Sequence, residues 1–383
     1  MKKTLLATAI AGALAASGAQ AATVYNQDGT KLDLYGNVQL TYASKEKAQG
    51  DGTVESEDSL VDNGSTLGVS GSHQISEGLS GYFKYEFEGD ADEIQDGGGM
   101  DTGDQAYFGL MGNFGDVRLG SYDPLIDDWI QDPFTSYQYG SLSDSNSAYV
   151  STEDSREGDK LQYMSPSFSG LQFALGTQIQ GDAEEADSVD DFESAAGDTV
   201  SVVGDSGGDA SFFGGVKYTA GAFSIAAAYD NLGNNDGTYT STDADSVVTT
   251  GDFDAGDQYG INAQYTIDTL RLSLKYERFD AGTDVVSDVN YYGLSADYGY
   301  GMGNIYAAYQ YVDVGGGTLV DTVDDAVTSG DWPNEQGDES YNEFAIGATY
   351  NISDAFYTYA EAYWYDRALD EGDSIAVGAA YLF

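Results

Sequence analysis

The chain has 383 residues, and its 65 acidic against 14 basic side chains give a formal net charge of −51. A surface this acidic repels nucleic acid, so nucleic-acid-binding functions are excluded, and the absence of cysteine excludes disulfides as a source of stability. Disorder, the other usual explanation of strong acidity, requires few aromatic residues, whereas 13% of this chain is aromatic.

Residues 1–21 are predicted to be a Sec-type signal peptide. A basic start, Met1-Lys2-Lys3, precedes an apolar run over 4–16, and Ala19-Gln20-Ala21 has the small-x-small pattern of a cleavage site. The apolar run is too short for a membrane anchor. The chain is therefore expected to leave the cytoplasm, and its mature part, 22–383, has 12 basic residues against 65 acidic ones, a net charge near −53.

The mature chain alternates very short turns with long acidic connections, and the segments between them show apolar/polar alternation. Its 50 glycines and 31 tyrosines with only 4 prolines suit many strands joined by tight turns. Seven short turns define fourteen strands, and two terminal strands, 31–43 and 374–383, bring the number to sixteen. The turns lie at 75–78, 112–115, 166–170, 218–221, 267–269, 299–302 and 352–354.

Alternate residues of each predicted strand fall on opposite faces. Within 270–276 the leucines and Tyr276 share one face, and Arg271, Ser273 and Lys275 share the other. Polar faces recur on nearly every strand, which suits a water-filled lumen, and aromatic residues gather at strand ends, which suits aromatic girdles. A soluble β-sandwich would show the same alternation, but these two features favour an all-β, sixteen-stranded antiparallel transmembrane β-barrel, a single domain over 22–383.

The long connections fall on one rim of such a barrel, opposite the short periplasmic turns, as in outer-membrane barrels. They cover 46–59, 91–103, 122–155, 181–209, 231–256, 280–288, 315–339 and 366–373. The connection 181–209 carries ten acids and no base, and 315–339 carries seven acids and no base. Their acid clusters could bind Ca²⁺ or Mg²⁺, but diffuse repulsion is favoured because neither has the spacing of a calcium loop. The clusters are Asp182, Glu184, Glu185 and Asp187, and Asp321, Asp324 and Asp325.

Five segments, taken in order along the chain, resemble the general bacterial porins, the trimeric sixteen-stranded proteins of the Gram-negative outer membrane. They are 24–36, 65–71 followed by 78–82, 107–120 around the Asn113-Phe114-Gly115 turn, 163–170 around Ser165-Pro166, and the terminal Tyr381-Leu382-Phe383. The ordered set is specific, although each segment alone is a weak signal. The resemblance implies a homotrimer in contact with the lipid bilayer and lipopolysaccharide, and recognition of Phe383 by the barrel-assembly machinery.

The resemblance also implies that the third long connection, 122–155, folds into the lumen and narrows it, with loop acids facing wall bases. The loop acids are Asp123, Asp127, Asp128 and Asp132, and the wall base at the family's position is Arg156. Strand parity independently places Arg118, Arg156 and Lys160 on the lumen face. Asp132-Pro133-Phe134 is the nearest remnant of the family's Pro-Glu-Phe-Gly-Gly loop motif. Fewer bases and more acids than in relatives predict that the constriction repels anions and enriches cations.

The predicted function is that of a general diffusion porin, which passes ions and small hydrophilic solutes through a cation-preferring channel without bond chemistry or a cofactor. A substrate-specific channel such as a sugar porin is the alternative, in which the aromatic residues would form a stacking slide. The general-porin motifs and the strand count argue against that alternative. An outer-membrane hydrolase is disfavoured because His73 is the only histidine and leaves no triad or metal constellation.

Overall fold

The computed structural model describes residues 21–48, 53–92, 100–148, 158–179, 192–193, 199–204, 210–233, 236–242, 247–283, 287–315, 340–366 and 372–383. These residues form a closed sixteen-stranded antiparallel β-barrel, which confirms the predicted fold. The strands are β1 (Thr30–Ala48), β2 (Val54–Asp62 and Thr66–Ser76), β3 (Leu79–Gly89), β4 (Met100–Gly112), β5 (Gly115–Ser121), β6 (Lys160–Met164), β7 (Leu171–Ile179), β8 (Ala210–Ala220), β9 (Phe223–Asn231), β10 (Asp257–Ile267), β11 (Leu270–Asp280), β12 (Val289–Gly299), β13 (Asn304–Val314), β14 (Tyr341–Ser353), β15 (Phe356–Tyr365) and β16 (Ser374–Leu382).

The barrel closes where its first and last strands meet, so the sheet leaves no open edge at this seam. β1 pairs with β16, and the backbones of Gly36 and Phe383 exchange two hydrogen bonds of 3.0 Å. A further strand, Ala22–Gln27, folds back onto the start of β1 and continues the position of β16 around the seam. Asp28 and Gly29 turn this hairpin with φ angles of 51° and 75°, the left-handed conformation that a two-residue turn of this kind needs.

All seven predicted turns connect barrel strands where the sequence placed them. The predicted first connection, 46–59, is wrong in extent, because β1 continues to Ala48 and β2 begins at Val54. These strand ends carry charges on both faces, which hid the alternation. Lys47 Nζ lies 2.6 Å from Glu57 Oε2, so an ion pair joins the charged ends of these two strands.

The two faces of the barrel wall follow the predicted parity. Outward side chains are apolar and exposed, as at Val38, Leu110, Leu274 and Leu294. Inward side chains are mostly polar and buried, as at Gln39, Thr41, Ser273 and Gln310. Exposed aromatics form a band near each end of the strands, with Tyr42, Tyr229, Tyr292, Tyr311 and Trp364 at the external end and Phe114, Tyr218, Tyr265, Tyr298, Tyr350 and Tyr381 at the other. This distribution matches a wet lumen and an outer surface in lipid.

Two long connections contain strands that the sequence did not predict. Thr199–Gly204 pairs with Gly237–Thr242, which pairs with Val248–Phe253, and Phe192–Glu193 adds a short edge to this outer sheet. The outer sheet therefore joins the connection after β7 to the connection after β9. The acid clusters considered for Ca²⁺ or Mg²⁺ lie outside the described residues.

The connection between β9 and β10 also covers part of the lumen wall. Its residues Leu232, Phe253 and Ala255 are buried against inward-facing apolar side chains at the external ends of β11 to β14. Those wall side chains are Phe279, Val289, Tyr291, Val312, Val314 and Tyr341. They break the polar pattern of the lumen because loop residues, and not water, contact them. Among the described residues, no helix is long and apolar enough to cross a membrane.

Candidate functional site at the inner loop

The described part of the connection between β5 and β6 lies inside the barrel, as predicted for the third long connection. This part, residues 122–148, is called the inner loop below. It contains one turn of π-helix, Asp127–Gln131, and one short α-helical turn, Ser145–Ala148. Residues 149–157 lie outside the described residues, and Arg156 with them.

Apolar side chains of the inner loop pack against small residues of the wall. Leu125, Ile126, Trp129 and Ile130 form one buried cluster with wall residues that include Ala226 and Ala228. Phe134 and Leu142 form a second one with Ala308, Ala345 and Tyr363. The loop is thus anchored by the same burial of apolar surface that stabilises a protein core.

Three wall glycines lie directly beneath side chains of the inner loop. A Cβ atom added at Gly215 would lie 2.9 Å from the ring of Trp129, and one at Gly260 would lie 2.7 Å from Ile130 Cγ2. A Cβ at Gly293 would lie 2.5 Å from the ring of Phe134. These glycines let the loop approach the wall more closely than any other residue would permit.

Three buried wall carboxylates bind the backbone of the inner loop. Glu361 Oε1 accepts from the Gln138 amide (2.7 Å), and Glu361 Oε2 accepts from the Tyr139 amide (2.9 Å). Glu343 accepts from the Ser143 amide (3.0 Å) and hydroxyl (2.5 Å). The third carboxylate, Glu277, accepts from the Ser145 amide and the Gln131 side chain at 2.8 and 2.7 Å. Charge-assisted bonds of this kind hold an irregular backbone in place inside the barrel.

Sequence reasoning missed these three anchors. Their inward orientation was readable from strand parity, as for Glu277, which shares a face with Ser273 and Lys275. The alternation of the strand residues did not indicate that these carboxylates would contact loop amides rather than water.

The four predicted loop acids all lie on the inner loop, but they differ in surroundings. Asp132 is exposed to the lumen, whereas the other three are partly buried. Asp123 Oδ2 accepts from Gln105 Nε2 (2.8 Å), and Asp127 Oδ1 accepts from Asn146 Nδ2 (2.6 Å). Asp128 lies within electrostatic range of three wall bases. These bases are Arg118, Lys160 and Lys217.

Enclosure by the barrel raises the pKa of two of these acids. The surrounding barrel and loop displace bulk water from around the Asp132 carboxyl and, together with the negative charges of Asp128, Asp123 and Asp144, raise its pKa to about 7. Burial also raises the pKa of Asp128, although the nearby bases Arg118, Lys160 and Lys217 act in the opposite direction. The carboxyl of Asp132 is thus poised to gain or lose its charge near neutral pH.

The two predicted wall bases within the described residues face inward, as parity indicated. Arg118 on β5 places its guanidinium carbon 3.7 Å from the centroid of the Tyr122 ring, and Lys160 on β6 places its ammonium nitrogen 4.7 Å from the same centroid. Lys217 on β8, which sequence reasoning missed, lies 5.8 Å from the ring of Trp129. Its inward position on a strand that faces the loop was the signal that could have found it.

Two other inward-facing bases are neutralised by acids. Lys84 lies 2.8 Å from Glu86, and Arg271 lies 3.5 Å from Asp297. The positive charges of Lys84 and Arg271 are therefore both compensated by ion pairs.

Known proteins with similar sequences identify the family to which this barrel and its inner loop belong. The family model of the Gram-negative porins matches residues 7–368. A protein named monosaccharide porin from a Halomonas species is 54% identical over 391 aligned positions, which cover the whole of both chains.

Solved structures share the fold at low sequence identity. An anion-selective porin from Comamonas acidovorans has a TM-score of 0.62 at 18% identity, covering 92% of this chain and 100% of that one. The trimer form of OmpT, an outer membrane protein of Vibrio cholerae, has a TM-score of 0.61 at 16% identity, covering 93% and 100%. These likenesses concern the fold alone, so charge preference has to be argued from the residues of this chain.

Proposed function

The chain belongs to the Gram-negative porin family, and we propose that it is a general diffusion porin whose channel prefers cations. Members of this family are channels of the outer membrane and not enzymes, so location and channel activity follow from membership. Ions and small hydrophilic solutes pass through the channel, and their size and the charge of the inner loop determine how readily they pass.

One observation supports the charge preference: among the described residues, the acids of the inner loop that keep accessible surface outnumber the wall bases near Asp128 that do so. Asp132 is exposed, and Asp123 and Asp128 keep part of their surface accessible. Of the three wall bases near Asp128, Lys160 is 2% exposed, whereas Arg118 and Lys217 keep part of their surface accessible. Lys84 is paired with Glu86. A negative potential in a narrow aqueous passage raises the local concentration of cations and lowers that of anions.

Four further proposals concern export, insertion, oligomeric state and membrane contacts. Residues 1–21 act as a signal peptide for the Sec route, and 22–383 is the single mature domain, inserted through recognition of Phe383 by the barrel-assembly machinery. The mature protein is a homotrimer, which the trimeric OmpT structure supports. Its outer face contacts lipid and lipopolysaccharide, consistent with its apolar surface and aromatic bands.

The preference is expected to weaken as the pH falls through 7. With a pKa of about 7, the Asp132 carboxyl is charged at pH 8 and largely neutral at pH 6, so the channel loses negative charge in this interval. The zero-current potential of a planar bilayer in a salt gradient, measured from pH 8 to pH 6, should move toward the value of a less selective channel.

Two variants control this measurement. In Asp132→Asn the potential should stay at its low-pH value over the whole interval. Histidine side chains titrate in the same range, so His73→Gln, which removes the only histidine, should retain the wild-type pH dependence. A wild-type potential that is flat between pH 8 and pH 6 would contradict the assignment of Asp132 to the ion path.

A monosaccharide-specific channel is the second candidate, favoured by the name of the Halomonas relative. Tyr137, Tyr139 and Tyr357 lie partly buried near the middle of the inner loop, where a sugar could contact aromatic rings. However, the Tyr357 hydroxyl already donates to the side-chain oxygens of Gln138 (2.8 Å) and Gln39 (3.2 Å). These polar groups are therefore hydrogen-bonded to one another and not turned toward a solute. The negative potential of the lining exerts no long-range attraction on a neutral sugar. We therefore place general diffusion first.

Liposome swelling distinguishes the two candidates. Liposomes that contain the purified protein would be challenged with a monosaccharide and with a cation and an anion of matched size. General diffusion predicts uptake that rises linearly with concentration and is faster for the cation than for the anion. Uptake of the monosaccharide that saturates, together with its block of ion current, would favour the specific channel instead.

A further inference from the structure

Two loops contact one patch of the inner wall, on the neighbouring strands β11 to β14. Strand pairing arranges the inward-facing side chains of this patch in three rows that run around the barrel. The lower row is Lys275, Gly293, Gln310 and Glu343, the middle row is Glu277, Tyr291, Val312 and Tyr341, and the upper row, nearest the external rim, is Phe279, Val289 and Val314. The patch therefore changes from polar to apolar toward the outside.

The inner loop is hydrogen-bonded to the lower and middle rows. Gln310 Nε2 donates to the Ser143 carbonyl (2.6 Å), and the Ser143 amide donates to Glu343 (3.0 Å). In the middle row, Glu277 accepts from the Ser145 amide (2.8 Å). Two wall carboxylates thus hold the backbone of this part of the inner loop.

The connection between β9 and β10 covers the middle and upper rows. Its residues Leu232, Phe253 and Ala255, called the cap below, are at most 5% exposed and form one cluster with the apolar side chains of these rows. The Thr283 hydroxyl, which belongs to the connection after β11, accepts from the Asp254 amide at 2.8 Å. The cap is therefore fixed to the wall by apolar packing and by this hydrogen bond.

The middle row takes part in both contacts. Tyr291 and Tyr341 belong to the apolar cluster of the cap, and the Tyr341 hydroxyl lies 3.2 Å from Ser143 Oγ of the inner loop. Glu277, the cross-strand neighbour of Tyr291, is 0% exposed, and so is Glu343. Side chains that face a lumen contact its water unless other groups inside the barrel cover them. The inner loop covers this patch on one side and the cap covers it on the external side.

We propose that the cap positions the inner loop, because it keeps external water away from the carboxylates of Glu277 and Glu343. A hydrogen bond to a carboxylate is stronger where water does not compete for it. Leu232 and Phe253 are thus positioning residues for a loop with which they share a wall patch. The inference depends on the place of the inner loop inside the barrel and not on the proposed cation preference, so either can fail without the other.

Single-channel recording of cap variants tests this inference. Phe253→Ala removes the largest side chain of the cap, so water should reach the middle row and the inner loop should leave the wall more often. The undocked fraction should rise at least about tenfold, because burial of an apolar side chain of this size contributes more than one factor of ten to an equilibrium. The rise should appear as additional conductance levels or excess current noise.

Three variants accompany this recording. Phe253→Leu keeps an apolar side chain and should remain close to the wild type, and Leu232→Ala is an independent second variant with the same expected effect as Phe253→Ala. In a Glu343→Ala background the inner loop has already lost one acceptor at this end, so Phe253→Ala should add little further noise. Equal added noise in both backgrounds would show that the cap fluctuates by itself and would overturn the inference. Cap variants as steady as the wild type, in barrels with normal strand content by circular dichroism, would do so too.

A cysteine reporter separates release of the inner loop from mere uncovering of the patch. The chain has no cysteine, and Ser145 is 0% exposed, so Ser145→Cys provides a single buried thiol. A small methanethiosulfonate reagent would be added on the periplasmic side, with a thiol scavenger on the external side. Phe253→Ala should speed the modification at least about tenfold, since the reagent then reaches the thiol only if the loop moves. Acceleration confined to reagent added on the external side would mean that the cap covers the patch without holding the loop.

Discussion

Replacing Glu361 by alanine is expected to release the middle of the inner loop and to turn a steady channel into a fluctuating one. The carboxylate of Glu361 accepts from four donors: the Gln138 and Tyr139 amides and the hydroxyls of Tyr306 and Tyr363. Alanine would leave both amides buried without this acceptor, at a cost of about 1–3 kcal/mol each. Undocking lets them reach water, so the docking equilibrium should shift by about 2–6 kcal/mol.

Single-channel recording measures this effect. Glu361→Ala should show excess current noise or several conductance levels where the wild type shows one, while the barrel itself remains folded because its strand pairing is untouched. Glu86→Gln is the matched control, since the partners of Glu86, Lys84 and Tyr35, both belong to the wall. A Glu361→Ala channel as quiet as the wild type would show that this carboxylate does not hold the loop.

Replacing Asp123, Asp128 and Asp132 together by asparagine is expected to abolish or invert the cation preference. Asparagine keeps the size and hydrogen-bonding capacity of each side chain, so the change is mainly electrostatic. Arg118, Lys160 and Lys217 would then lose the charge of Asp128, an acid within electrostatic range of all three. A unit charge about 5 Å from an ion contributes about 0.8 kcal/mol in water. Three such charges, screened by salt, should lower the cation-to-anion ratio about tenfold.

A triple variant with the same change in net charge provides the control. Asp28, Glu77 and Asp268 lie at short turns at the opposite rim from the long connections. Asp28 and Asp268 have positive φ angles of 51° and 53°, which asparagine also adopts readily, so Asp28→Asn/Glu77→Gln/Asp268→Asn should fold normally. This control should retain the wild-type ratio at pH 8. Equal shifts in the two triple variants would mean that net charge, and not the inner loop, sets the preference.

Much of the barrel could be predicted from the sequence because its strands and tight turns are determined by residues close together in the chain. In β11 the leucines face outward and Ser273, Lys275 and Glu277 face inward, as their alternation required. The turn at Asp268 is marked by residues that favour tight turns. The outer sheet was missed because Thr199–Gly204 lies within an acidic connection that resembles a linker, and its pairing with Gly237–Thr242 spans two connections. Long-range pairing of this kind leaves no periodic signal.

The site was predictable only in part for a related reason. Parity fixed the inward direction of Arg118 and Lys160, since direction depends on the strand alone. What each base meets depends on the fold of the inner loop, whose course is set by distant residues such as Gly215 and Glu361. The roles of the four acids in the ion path and the position of Arg156, outside the described residues, remain predictions.

The zero-current potential of the wild-type channel tests the central claim most directly. Purified protein in a planar bilayer would separate concentrated from dilute potassium chloride at pH 8, where Asp132 is charged. A channel throat in which accessible carboxylates outnumber accessible bases passes potassium ahead of chloride, so the dilute side should become positive. A dilute side that becomes negative would contradict a negatively charged constriction.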